Sequence, residues 1–215
     1  MKRGVIFDMD GTLWDSSENV AKSWDEVVRK EKNGLRRITK EDIQGVMGLT
    51  MTDIAKTLFP MLKEEEAIAL TDCCGEYENA YLRKFGGVLY PQLEDTLKAL
   101  SCRYPLYIVS NCQKGYIEAF LDYYDFWKYF KDIECFGNNN MGKAYNIGLV
   151  IRRNRLDHAV YVGDIQGDYN ASREAGADFV HAAYGFGSIR ERVPAVMAFA
   201  KLPEVLAEIF EDETV

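Results

Sequence analysis

The chain has 215 residues, enough for one domain or for a domain carrying a substantial insertion. A hydrophobic share of 47% provides a real core, and a charged share of 28% is ordinary for a soluble protein. The net charge of −8 argues against a nucleic-acid surface, which is usually basic, and no apolar run is long enough to span a bilayer.

Five cysteines, none in a CxxC pair, stand beside only two histidines, His158 and His181, so the composition argues against a zinc site. The cysteines read as reduced, mostly buried thiols, and the expected setting is cytoplasmic, with no secretory signal ahead of the first strand. The two histidines flank predicted strands without a visible partner and are assigned no role.

In chain order, Val5-Ile6-Phe7 reads as a buried strand that ends in Asp8-Met9-Asp10-Gly11-Thr12-Leu13. Taken alone, Asp10-Gly11 also fits a hairpin turn. Asp15 and Glu18 have capping-box spacing, and Val20, Ala21, Trp24, Val27 and Val28 follow at helical spacing. Thr39 and Asp42 repeat the capping pattern before Ile43, Val46 and Met47. Gly48-Leu49-Thr50-Met51 interrupts, and a short helix is predicted from Thr52 to near Pro60. A long helix follows from Lys63 to Phe85, with Ala67, Leu70, Cys74, Tyr77, Tyr81 and Phe85 as its packing stripe. Gly86-Gly87 ends this all-helical block, so residues 15–85 read as an inserted helical domain, with 1–14 and 86–215 as the core.

From Val88 the pattern alternates strand and helix, the signature of a parallel sheet. Pro91 opens a helix carrying Leu93, Leu97 and Leu100, and Leu106–Val109 is a strand ending in Ser110-Asn111. A helix with Tyr116, Ile117, Phe120 and Leu121 precedes a short strand, Ile133–Phe136, and an Asn138–Asn140 turn. Gly142–Arg153 reads as a helix, Ala159–Val162 as a strand ending in Gly163-Asp164, and the next helix stops at Gly176. Phe179–Ala182 is a further strand, and Pro203 starts a last helix over Glu204–Phe210. The fold class is α/β: a doubly wound, mainly parallel sheet with an inserted, small all-helical domain.

Three strands thus end in polar residues: Asp8/Asp10, Ser110/Asn111, and Asp164 with Asp168 four further on. Loops at one edge of a parallel sheet converge, so these groups and Lys143 can share a crevice. Four carboxylates together repel one another, and a hard divalent ion such as Mg²⁺ relieves this with oxygen ligands and substrate phosphate. Lys143, Ser110 and Asn111 would then hold phosphate oxygens. Each piece has a plainer reading: Asn111 as a helix cap, Asp164 and Asp168 as loop and helix-start residues, Lys143 as a solvated lysine.

Phe7-Asp8-Met9-Asp10-Gly11-Thr12-Leu13, Val109-Ser110-Asn111, Lys143 and Tyr161-Val162-Gly163-Asp164-Ile165-Gln166-Gly167-Asp168 resemble the motifs of the haloacid dehalogenase superfamily. The order and the helical insertion resemble its phosphoglycolate-phosphatase-like branch, and the resemblance covers nearly the whole chain. It implies a Mg²⁺-dependent phosphatase acting on a small phosphorylated metabolite. Asp8 would be the nucleophile and Asp10 the acid–base. Asp8, the carbonyl of Asp10, and Asp164 would bind the metal, with Asp168 supporting it. Ser110, with Asn111 beside it, and Lys143 would grip the phosphate. Many relatives carry a proline soon after the motif lysine, where this chain has Ala144 and Tyr145. Gly48, Thr50 and Met51 look like the cap loop that relatives direct at the leaving group, the plainer reading being a helix connection with Thr52 as cap.

Two other readings stay open at this point. A sugar-phosphate mutase of the β-phosphoglucomutase kind resembles the same motifs, and a phospho-accepting signalling module also places acids, a hydroxyl and a lysine on a doubly wound sheet. Expected partners are a small phosphorylated metabolite, no nucleic acid and no membrane, with the chain a monomer or small homo-oligomer.

Overall fold

A computed structural model describes residues 1–32 and 35–211. β1 (Arg3–Phe7) leads through a tight loop to β2 (Trp14–Asp15). The helical block follows as α1 (Ser17–Lys32), α2 (Lys40–Gln44), α3 (Met51–Leu58) and α4 (Glu64–Phe85). After β3 (Val88–Leu89) come α5 (Leu93–Ser101), β4 (Leu106–Ser110), α6 (Tyr116–Tyr124), β5 (Phe130–Cys135) and α7 (Phe136–Asn139). The chain continues with α8 (Lys143–Asn154), β6 (His158–Gly163), α9 (Gln166–Ala175), β7 (Asp178–Ala182) and β8 (Ala195–Val196). A 3-10 turn (Phe199–Lys201) and α10 (Leu202–Glu211) end the described part.

The main sheet has six strands in the order β5-β4-β1-β6-β7-β8, and each of its pairs is parallel. β1 lies between β4 and β6 because the chain first builds outward on one side and then crosses to the other. That reversal of direction opens a crevice at the carboxyl end of β1. Both faces of the sheet are covered, which explains why β1 reads as an unbroken apolar run. Val5 and Phe7 enter the core beneath α5 and α10, whereas Ile6 packs with Tyr107, Val109 and Tyr161 beneath α8 and α9. Fully burying one such side chain is worth about 1.5–3 kcal/mol, and a one-residue register slip would exchange the two faces.

The two chain passages between sheet and helical block run side by side as an antiparallel pair, Trp14 opposite Leu89 and Asp15 opposite Val88. Trp14 is fully buried against Tyr116, Phe120 and Tyr124, with ring centroids 5.7, 5.0 and 6.3 Å away. The Tyr124 hydroxyl donates to the Gly87 carbonyl at 2.9 Å, tying the return passage to the same cluster.

Several local expectations change. Asp15 and Glu18 form no capping box: Asp15 accepts from the Ser17 backbone N–H at 3.0 Å, and Glu18 pairs with Lys22. The box at Thr39 and Asp42 is present. α3 starts at Met51, one residue before the expected Thr52, because Thr50 caps it. On α4 the buried stripe runs Ala67, Leu70, Cys74, Glu78 and Leu82, and leaves Tyr77 and Phe85 exposed. Repeats of i+4 carry a helix face from Cys74 to Glu78, whereas the apolar spacing chosen from sequence drifts onto the neighbouring face. Tyr77, Tyr81 and Phe85 instead form a ladder of ring contacts along the helix. Phe136, expected to end the strand Ile133–Phe136, opens α7, which also takes in Asn138 and Asn139 of the expected turn. β8 has only two residues and was not anticipated. His158 does have a partner, Asp178, at 2.7 Å. The cysteines are free, and among the described residues no helix is long and apolar enough to cross a membrane.

Candidate active site

Register places the acids. Phe7 is paired with Ile108 on one side and Val162 on the other, so Asp8 is the first residue to leave the sheet. Its backbone N–H donates to the Val162 carbonyl at 2.9 Å, which extends the ladder by one bond and fixes the carboxylate at the crevice floor. Gly11 then turns with φ of +77°, and any Cβ there would collide with the Asp164 carboxylate, so glycine is required on both counts.

Asp8, Asp164 and Asp168 are buried, and each offers an oxygen within 4.8 Å of the others. Lys143, at the start of α8, reaches Asp8 Oδ1 at 2.9 Å and Asp168 Oδ1 at 2.5 Å. The other Asp168 oxygen accepts the backbone N–H groups of Asp164 and Ile165 at 3.0 and 3.1 Å. Both Asp168 oxygens are therefore engaged, one with Lys143 and the other with the Asp164 loop. Asp164 accepts from the Phe186 N–H at 2.8 Å.

Burial sets the electrostatics. It pushes Asp8 up to about 7, with the charge of Asp168 adding and Lys143 opposing. Asp164 is pushed up to about 8 by burial, then by Asp168 and Asp8. Burial by itself would lower Lys143, but Asp168 and Asp8 outweigh it and hold the ammonium far above its ordinary value. Carboxylates held this close to neutrality by burial and by one another are what a hard divalent cation relieves, and the donor set is all oxygen. The residues present fit Mg²⁺.

Asp10 sits apart from this cluster. Its Oδ1 accepts from Ser16 Oγ at 2.7 Å and from the Tyr116 hydroxyl at 2.6 Å. Burial lifts its carboxyl to about 6, and those two hydrogen bonds restrain the rise. Sequence reasoning missed both partners. Ser16 lies between Asp15 and Glu18 and carries no pattern of its own, and Tyr116 fell among the apolar residues of α6.

Ser110 ends β4 beside the acids and is 4% exposed. Asn111 donates from Nδ2 to the Gly48 carbonyl at 3.0 Å, so its side chain faces the helical block and offers an oxygen there. A cavity of about 50 Å³, partly open to solvent, runs from Asp10, Ser110 and Asn111 to Trp24, Met51 and Glu78. Gly48 and Met51 line it. Gly48 also has φ of +84°, and a Cβ there would stand 2.5 Å from Ile165 Cδ1. Thr50 is absent from the lining, because its side chain accepts the Asp53 N–H and donates to the Asp53 carboxylate. Glu78, at 4% exposed, accepts the indole N–H of Trp24. It too went unread in the sequence.

A family model described as haloacid dehalogenase-like hydrolase matches residues 5–182. A phosphoglycolate phosphatase of Aquifex aeolicus is 26% identical over 200 residues, 89% of this chain and 90% of that protein. One of Escherichia coli strain K12 is 26% identical over 209 residues, 86% and 82% of the two chains. Among solved structures, a haloacid dehalogenase-like family hydrolase of Streptococcus pneumoniae superposes with a TM-score of 0.75 at 23% identity, covering 97% of this chain and 98% of that one. A subfamily IA hydrolase of Geobacter sulfurreducens gives 0.70 at 17% identity over 96% of each. These two likenesses are of fold. Motifs, sheet order and the extent of the family match agree, and the chain belongs to the haloacid dehalogenase-like hydrolases.

Proposed function

We propose that the chain is a Mg²⁺-dependent phosphatase that hydrolyses a small phosphorylated metabolite through an aspartyl-phosphate on Asp8. The observation that carries this reading is the separation of two carboxylates two residues apart: Asp8 lies against Lys143 on the crevice floor, Asp10 against Ser16 and Tyr116 at the cavity mouth. In this reading one attacks and the other moves a proton. The names of the 26% identical relatives support phosphate-ester hydrolysis.

An oxygen of Asp8 forms a bond to phosphorus as the ester P–O bond breaks, and the leaving oxygen takes a proton from Asp10. Asp10 then takes a proton from water as that water attacks phosphorus, and the carboxylate of Asp8 is released with inorganic phosphate. A group lifted to about 6 is suited to both transfers near neutral pH. Lys143 and Ser110 hold phosphate oxygens, while Asp168 fixes Lys143. Asp8, Asp164 and the Asp10 carbonyl would hold Mg²⁺, which when bound would supply positive charge against the phosphate. Residues 15–85 act as a cap over the core formed by 1–14 and 86–215, meeting it where Gly48 receives Asn111.

The test is phosphate release from a panel of phosphate monoesters with Mg²⁺, before and after EDTA. Activity is expected to vanish with the metal and return with it. Asp8→Asn is expected to cost about 10³-fold or more, and Asp10→Asn about 10²–10⁴-fold. Isomer formation without phosphate release would favour the mutase reading, and a stable phospho-enzyme without turnover the signalling one.

A further inference from the structure

Most of the side-chain donors around the cavity above Asp10 are already used. No lysine, arginine or histidine is among the described residues lining it, and its ionisable carboxylates are Asp10 and Glu78. Asn111 spends its Nδ2 on Gly48, so its Oδ1 is identified as the acceptor; that oxygen is shut from solvent and has no hydrogen-bond partner. Gln113 directs Nε2 to Asn79 Oδ1 at 3.1 Å. Tyr116 donates to Asp10, and the Trp24 indole to Glu78. Apart from Ser110 and Cys112, the rest of the wall is apolar, with Val20, Ile43, Val46 and Ile54 from the cap side.

We propose that the ester this cavity selects is an aliphatic amino-alcohol phosphate, its ammonium received by Glu78 and its carbon chain lying on the apolar wall. The proposal rests on the phosphatase reading above and narrows its substrate. An ammonium brings three donors and a positive charge to a site that has neither to spare. A carboxylate leaving group, as in glycolate, would be stripped of water beside Glu78 with no counter-charge. Trp24 adds its indole to the same wall.

The placement suits the reaction. Asp10, Glu78 and Tyr116, the residue that holds Asp10, line the same cavity. A leaving oxygen protonated by Asp10 therefore carries its chain into the cavity that Glu78 lines. Burial lifts the Glu78 carboxyl to about 8, the bonds from Trp24 and Gln113 resist, and Asp10 adds to the rise. A bound ammonium would reverse that lift.

Three matched esters test this: 2-aminoethyl phosphate, n-propyl phosphate and 2-phosphoglycolate, which differ in the charge of the group at the far end of the leaving alcohol. In the wild-type protein with Mg²⁺, kcat/KM is expected to fall in that order, with at least tenfold between first and last. In Glu78→Gln, whose amide oxygen can still accept from Trp24, the ratio of aminoethyl to propyl ester is expected to fall at least tenfold. A ratio of two substrates does not move when a variant is merely less well folded. Calorimetric titration of the three esters into Asp8→Asn protein with Mg²⁺ reads the same ranking without turnover. Preference for phosphoglycolate, or a ratio indifferent to Glu78→Gln, overturns the proposal while leaving the phosphatase reading intact. Absence of turnover on any ester overturns that reading, and the binding series then decides the proposal: the stated ranking supports it, and any other result, including no binding, overturns it.

Discussion

At the carboxyl edge of the sheet, Asp168 has both oxygens satisfied, one by Lys143 and the other by two backbone N–H groups. In the helical block, Glu78 is buried to a similar degree but accepts an indole N–H and has no cation among the described residues lining its cavity. The first region pairs its charge internally, through loops fixed by sheet register. The second holds a carboxyl whose charge is uncompensated until a ligand arrives. Rigid pairing suits a site that must present one nucleophile in one place. An unpaired buried acid suits a surface that recognises an opposite charge, at a cost to stability while it is empty.

The largest difference between the regions is expected when a partner is removed from the first. Lys143→Met leaves Asp8 and Asp168 buried without their ammonium, and breaking a buried pair in this way costs about 3–5 kcal/mol. For a domain of this size that corresponds to a fall in Tm of roughly 10 °C. Thermal unfolding in EDTA is the measurement, since a bound cation would stand in for the missing charge. Added Mg²⁺ is expected to restore part of the loss. A variant that melts with the wild type in EDTA would show that the network does not hold the site together.

Much of the first region was legible because its chemistry is written in short, contiguous segments. A strand, two acids and a glycine mark β1 and its loop, and the Gly163–Asp168 segment marks β6 and α9 in the same way. The alternating strand and helix pattern after Val88 likewise places β4 to β7 in the sheet. What the sequence hid is what depends on distant elements meeting. Ser16 and Tyr116 are 100 positions apart and meet at Asp10 only because α6 packs on the passage out of the sheet. Glu78 was invisible for a simpler reason: the sequence reading followed hydrophobicity along α4, and a buried glutamate breaks that pattern. β8 was missed because two residues carry no periodicity.

A smaller effect, opposite in sign, is expected in the second region. The Glu78 carboxyl moves from an ordinary value of 4.5 to about 8 in the folded protein. Between those values the folded chain keeps a proton that the unfolded chain releases, so stability falls as pH rises through that window. Above about 8 the full cost of the ionised group remains. Glu78→Gln removes the cost and is expected to be more stable than wild type at high pH by about 2–4 kcal/mol, with the difference closing near pH 4.5. Urea unfolding midpoints at pH 5 and pH 9 would show it. Equal midpoints for both proteins at pH 9 would mean that water or a neighbour already compensates Glu78. Saturating 2-aminoethyl phosphate is expected to shrink the wild-type pH dependence, because the ammonium then supplies the missing charge.

The finest distinction lies within one loop, between Thr50 and Met51. These residues are adjacent in sequence, but Thr50 turns to cap α3 through Asp53 whereas Met51 lines the cavity. The Met51 Cε atom lies 3.2 Å from where a Cβ on Gly75 would stand, so it rests on α4 one turn before Glu78. Removing the cap hydroxyl in Thr50→Ala is expected to cost about 1 kcal/mol, or roughly 2–4 °C in Tm, with kcat/KM scaled equally for every ester. Met51→Ala empties space between the apolar wall and α4. It is expected to raise kcat/KM for a branched leaving group relative to 2-aminoethyl by about tenfold, the worth of a methylene or two in such a pocket. The two variants thus separate a loop that shapes the substrate from a loop that holds a helix. If Thr50→Ala reorders the substrates and Met51→Ala does not, the side chain that reaches the leaving group is the hydroxyl, and the wall assigned to Met51 is only packing for α4.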